Sequence, residues 1–271
     1  MNIFIMGGTA ESVEIIKFIK EKYPDIYLVT STTTEYGAGI AKEAGSNEVI
    51  SRPLPRDDIL KVLDDYKIDL FIDATHPFAE HVTATACSVV NERQIPFIRF
   101  ERESLYIEDI ENINLDNVYH VNSFDEAGKL IEESSFKGNV LHLGGINTAG
   151  SVLKYVPTDK FYIRVLTVKS SLDKCEELGI IESHIFPMTA SKNKDKKIHT
   201  DENLELYKKV DAKIILTKES GDTGGFREKI EAANKLNLKI IIVDRPHIEG
   251  LSGKTVVSTI EEFDEELNKF I

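Results

Sequence analysis

Short β-type apolar runs alternate with helical patterns along almost all of the 271 residues, and no other feature narrows the fold as far. Strands joined by helices run parallel, because each crossover returns the chain to the end of the sheet where the previous strand began, and the helices then cover both faces. In the first part of the chain the expected strands are residues 2–6, 26–31, 48–50, 69–73 and 96–100, with helices at 10–21, 38–45, 56–66 and 79–93. Residues 101–116, ERESLYIEDIENINLD, are acidic and follow neither period, so they read as a linker. The alternation resumes with strands at 118–121, 140–143, 161–166, 213–217 and 239–243, and helices at 124–133, 170–178, 201–209, 225–236 and 260–270. Ser123-x-x-Glu126 and Ser258-x-x-Glu261 have the form of capping boxes at two helix starts. The expected class is α/β, with two domains, each a parallel sheet flanked by helices. The expected boundaries are 1–103, a linker at 104–116, and 117–271.

Charge and cysteine usage exclude several functions. A net charge of −13 speaks against nucleic acid and anionic membrane as partners. It leaves room for an anionic small molecule, because a site can be locally basic. No run of ~18 apolar residues is present, so no membrane span is expected. The first apolar run, Ile3 to Met6, is strand-sized and leads into Gly7-Gly8, which does not suit a signal peptide. Cys87 and Cys175 lie far apart without metal-ligand spacing. A reduced, cytoplasmic setting is expected, with no bound metal. The oligomeric state is left open.

In open α/β sheets, ligands bind outside the carboxyl ends of the strands. Four such places carry candidate residues. MGGTAES (6–12) turns from strand to helix through Gly7, Gly8 and Thr9, where backbone amides can approach a phosphate. It is neither G-x-G-x-x-G nor a P-loop, and Glu11 in the first helical turn would repel a pyrophosphate. STTTEYGAG (31–39) follows the second strand with four hydroxyls, but has no acid at the strand end for a ribose and no Arg for a 2′-phosphate. DATHPFAEH (73–81) sets Thr75 and His76 on a turn stiffened by Pro77. His76 can exchange a proton near neutral pH, although Asp73 and Thr75 could simply cap the helix while His76 bonds the backbone. TKESGDTGGF (217–226) offers Lys218, Glu219, Ser220 and three glycines. LGGINTAG (143–150) repeats the arrangement of the N-terminus more faintly. Arg99, Arg102, Arg164 and Arg245 lie near expected strand ends.

Assembled in order, MGGTAE, TTTEYGA, DATHPFA, PFIRFERE (96–103), LTKESGDTGGFREKIEAA and VDRP (243–246) resemble the precorrin-6A reductases, from Met1 to about Pro246. The TEYGA and KESG…GGF wording resembles the cobalt-precorrin-6A branch. The resemblance implies two Rossmann-like domains with the active site in the cleft between them. It implies reduction by a nicotinamide of the C18=C19 bond of (cobalt-)precorrin-6A; the cofactor is expected to be NADH or NADPH, with NADH slightly favoured. Carried over, it places Gly7, Gly8, Thr9, Thr34, Glu35, Tyr36, Thr75, His76 and Pro77 at the cofactor. It places Arg99, Arg102, Lys218, Ser220, Gly221 and Arg245 at the carboxylates of an anionic corrinoid substrate. His76, Glu219 and Lys218 are the candidate catalytic residues, with His76 the first choice for proton donor and Glu219 the second. Two stretches depart from the family pattern, LGGINTAG and TASKNKDKK (189–197), the latter reading as a solvated loop. They motivate the alternative of a tetrapyrrole- or nucleotide-binding protein without turnover. A third reading is a synthase on a linear tetrapyrrole, which would need no nicotinamide.

Overall fold

The computed structural model describes residues 1–134, 136–188 and 196–271, the side chains of residues 196–198 and 223 excepted. The described residues form two compact units, one of Met1–Glu103 with Pro246–Ile271, the other of Ser104–Arg245. Each is built on a six-stranded, all-parallel sheet.

The first unit contains β1 (Asn2–Met6), β2 (Tyr27–Thr32), β3 (Glu48–Ser51), β4 (Leu70–Asp73) and β5 (Phe97–Phe100). Its helices are α1 (Ala10–Lys22), α2 (Glu35–Glu43), α3 (Arg56–Asp65) and α4 (Glu80–Arg93). Ile3, Phe4 and Ile5 are all fully buried. Successive strand residues point to opposite faces, so an unbroken apolar run means that both faces are covered. One face packs Ile15, Ile16 and Ile19 of α1. The other stacks Phe4 edge-on against Phe71 at 5.1 Å between ring centroids.

The C-terminal boundary differs from the expected one. Residues 246–271 belong to the first unit. Thr255–Val257 pairs with Ile98–Phe100 as the edge strand of the first sheet, giving an order of last-5-4-1-2-3. The helix Ile260–Leu267 buries Phe263 and Leu267 beside Phe100. A three-residue strand carries too little periodicity to be read locally; only its long-range ladder defines it. The expected capping box there moves by one residue: Thr259 accepts from the Glu262 N–H, and the Glu262 carboxylate reaches back to the Ser258 N–H. The box at Ser123 forms with Glu126, whose carboxylate turns to the Asn122 N–H.

The second unit has β6 (Val118–Val121), β7 (Asn139–His142), β8 (Phe161–Leu166), β9 (Ile185–Met188), β10 (Ala212–Lys218) and β11 (Lys239–Val243), ordered β6-β11-β10-β7-β8-β9. Its helices are α5 (Phe124–Glu133), α6 (Ile146–Val152), α7 (Lys169–Glu177), α8 (Lys196–Lys209) and α9 (Phe226–Lys235). Residues 104–116 are no linker. They make two short 3-10 turns, bury Ile107 and Ile110 in the core of this unit, and pack Leu105 and Ile113 against it. Apolar residues at 105, 107, 110 and 113 match neither regular period, yet all reach one core. The expected SKNKDKK loop (191–197) lies outside the described residues up to 195; α8 starts at Lys196. No helix among the described residues is long and apolar enough to cross a membrane.

Candidate active site

In the first sheet the strand order reverses between β1 and β4, and ligands of such sheets sit outside the carboxyl ends at that point. The two sequence candidates there are joined directly: the Thr9 hydroxyl donates to the Ala74 carbonyl at 2.8 Å. Thr9 also caps α1, accepting from the Ser12 N–H, while the Ser12 hydroxyl accepts from the Thr9 and Gly8 amides. A Cβ on Gly7 would stand 2.9 Å from Ser12 Oγ, so the turn needs a glycine there for close packing. Gly8 has φ +100°, and a Cβ added to it would meet nothing within 4 Å. The open space over Gly8, beside a helix start, leaves room for a phosphate, while the Gly8 and Thr9 amides themselves are held by Ser12 Oγ.

The DATHPF turn is held by a buried charge network. Asp73 accepts through Oδ1 from the Thr75 N–H and hydroxyl, and through Oδ2 from the Thr83 hydroxyl. Arg99 Nη1 lies 2.9 Å from Asp73 Oδ1, and both side chains are 0% exposed. Arg99 also donates from Nη1 to Thr75 Oγ1 and from Nε to Glu101, while Nη2 stands 3.0 Å from Glu101 Oε2 outside hydrogen-bonding geometry. Arg99 was expected at a substrate carboxylate. With its guanidinium sealed and turned onto Asp73, Thr75 and Glu101, it fixes the turn instead. His76 through Ala79 close a β-turn, with the Ala79 N–H donating to the His76 carbonyl at 2.8 Å and buried Pro77 in the second position. His76 Nδ1 accepts from the Phe78 N–H at 3.1 Å, which places the ring proton on Nε2.

Arg102 grips Glu11 with two contacts, Nε to Oε1 at 3.0 Å and Nη2 to Oε2 at 3.1 Å. The anticipated repulsion from Glu11 is therefore offset by a forked ion pair at the start of α1. After β2, Thr34 accepts from the Gly37 N–H and caps α2, which starts three residues before its expected position. Glu35 and Tyr36 thus form its first turn, with Tyr36 exposed.

In the second sheet the order reverses between β7 and β10. Gly144 and Gly145 repeat the first turn: a Cβ on Gly144 would collide with Phe124 at 2.4 Å, while Gly145 has φ +89° and open space. Buried His142 bonds the Gly145 carbonyl and the Thr148 hydroxyl, and burial pushes its pKa down to about 4. On the neighbouring strand, two residues beyond the partner of His142, Lys218 ends β10, half-buried. Glu219 Oε1 accepts from the Gly221 and Leu105 amides, and its carboxylate pairs with Arg245. This is an acceptor arrangement; proton donation by Glu219 would require these contacts to break. Gly221 and Gly225 both have positive φ, and the Ser220 hydroxyl donates to the Gly224 carbonyl. Lys229, not singled out from the sequence, donates to the same carbonyl at 2.9 Å. Burial, with the charges of Arg164 and Lys218, pushes its pKa down to about 7. His120 and Asp244 were also missed. They stand 2.7 Å apart, although 124 residues separate them. Among the described residues no group of three His, Cys, Asp or Glu side chains could hold a metal.

These turns belong to a chain with relatives along its whole length. Residues 2–268 match the family model described as precorrin-6x reductase CbiJ/CobK. Cobalt-precorrin-6A reductase of Methanocaldococcus jannaschii is 36% identical over 92% of this chain and 92% of its own. The protein of the same name from Methanothermobacter thermautotrophicus is 32% identical over 100% and 85%. Among solved structures, CobK precorrin-6A reductase superposes with a TM-score of 0.73 over 100% of this chain and 97% of its own, at 17% identity, and so shares its fold.

Proposed function

Because the chain belongs to the precorrin-6x reductase family CbiJ/CobK, we propose that it reduces the C18=C19 bond of cobalt-precorrin-6A in cobalamin biosynthesis. What carries the reading is the family match over residues 2–268. The two glycine turns at the reversal points of the sheets fit a dinucleotide and a second ligand. When bound, a reduced nicotinamide supplies the hydride. Gly7, Gly8 and Thr9 would hold its pyrophosphate, with Thr75, His76 and Pro77 beside them and Thr34, Glu35 and Tyr36 toward its ribose. Lys218, Ser220 and Gly221 would meet substrate carboxylates. Arg102 and Arg245 already neutralise Glu11 and Glu219 and would tune the charge around each turn. After β2 no Arg or Lys occurs through Tyr36 to pair with a 2′-phosphate, and the first acid, Glu35, comes only in the turn that opens α2; on that balance NADH is slightly favoured over NADPH.

The test is anaerobic nicotinamide oxidation with cobalt-precorrin-6A, using NADH and NADPH in turn. Substrate-dependent oxidation with a product two mass units heavier, and a higher kcat/KM for NADH, is expected. Corrinoid binding without oxidation of either cofactor would instead support a binding protein.

A further inference from the structure

Reduction of a carbon–carbon double bond consumes one hydride and one proton. Glu219, one sequence candidate for the proton, is turned into an acceptor. The same pocket contains another acid–base group. A cavity of 370 Å³ opens beside the carboxyl ends of β6, β10 and β11, with apolar walls from Leu105, Phe226 and Ile242 and with His120 and Asp244 among its lining.

The sheet register builds the pair. His120 lies opposite Ile242, and Asp244 is two residues further along, on the same face and diagonal to His120. The Asp244 N–H donates to the Val121 carbonyl at 2.9 Å, continuing the ladder and fixing the backbone of both partners. His120 Nδ1 is 2.7 Å from Asp244 Oδ1, and the side chains are 45% and 43% exposed. A carboxylate at Nδ1 fixes the ring and leaves Nε2 as its second proton-carrying position. Exposure allows that position to meet a ligand and to be recharged from solvent. Seven histidines occur in the chain. Of those at strand ends, His142 is fully buried and neutral, so it has no access to substrate, and His76, after β4, accepts the Phe78 N–H at Nδ1 and so cannot become an imidazolium while that bond holds.

We propose that His120, oriented by Asp244, delivers the proton in the reduction. This inference rests on the reductase reading above. The hydride joins one carbon of the C18=C19 bond, and the imidazolium Nε2–H bond breaks as the other carbon gains its proton. The π electrons of the double bond form the new C–H bond to that proton. The nicotinamide leaves oxidised, and His120 leaves as neutral imidazole with its Nδ1 proton kept on the Asp244 side, to be reprotonated by water. The other charged groups around the pocket are Glu108, Glu219 and Arg245.

The experiment compares wild type, H120Q and D244N in anaerobic turnover across pH, and follows the His120 ring by 15N NMR as cobalt-precorrin-6A is added without cofactor. Wild-type kcat should decline toward alkaline pH as the imidazolium is lost. H120Q should lower kcat by about 10²–10⁴-fold, leave KM within about threefold, and remove that decline. D244N should lower kcat less, and the His120 resonance should shift on substrate addition. Wild-type kcat and pH profile in H120Q, in an active enzyme, would overturn the inference alone, as would a raised KM with unchanged kcat. An inert wild type would overturn the reductase reading itself.

Discussion

Replacing Arg99 by Met separates a structural role from a ligand-binding one. Met fills most of the volume of the arginine stem without carrying charge. It leaves Asp73 fully buried, still bonded to Thr75 and Thr83 but with no cation beside it. Removing one partner of a buried pair costs about 3–5 kcal/mol. At roughly 3–5 °C per kcal/mol for a unit between the small and large domain sizes, Tm should fall by about 9–25 °C. Glu101, 20% exposed, can rehydrate and adds little. The double variant D73N/R99M keeps an acceptor for the Thr75 N–H but carries no buried charge. It should therefore recover at least about 1 kcal/mol relative to R99M alone. Thermal unfolding by circular dichroism reads all three proteins. If R99M melted within about 1 °C of wild type while KM for the corrinoid rose tenfold, the buried-pair argument would fail, and Arg99 would be a substrate contact after all.

Other consequences can be checked independently. Gly8→Ala places a side chain on a residue with φ +100° and should cost about 1–2 kcal/mol, while weakening cofactor binding in a fluorescence titration; unchanged binding would remove Gly8 from the pyrophosphate. His142 binds a proton below about 4 when folded but below 6.5 when unfolded. The unfolded chain therefore holds more protons between these values, so stability should fall by about 3 kcal/mol as pH drops from 6.5 to 4. Urea midpoints across that window should show the fall in wild type and less of it in H142Q. Reductive 13C-methylation should reveal one lysine resonance titrating near pH 7, absent in K229M; its persistence in that variant would assign it elsewhere.

Residues whose neighbours in sequence are also their neighbours in space were readable. The Gly-Gly turns, the DATHPF turn and most strands depend on local period and turn chemistry. What sequence order scatters was not readable. Arg99 read as a contact to substrate carboxylates because its partner Asp73 is one strand away, and only the β4–β5 ladder makes Asp73 and Arg99 register partners. His120 and Asp244 meet through the β6–β11 register. The segment at 104–116 looked like a linker because its apolar spacing matches no regular element, although its side chains still reach a core.

The return of the last strand to β5 has a temporal meaning. The first unit is interrupted in sequence by the whole of the second, so its sheet and its Phe100–Phe263 contact await residues made more than 140 positions later. During synthesis the second unit, continuous from Ser104 to Arg245, emerges complete while β5 is still an open edge. Chain loss at the C-terminus therefore strikes the oldest part of the molecule, stripping the edge strand and the aromatic plug from the unit that was begun first and finished last.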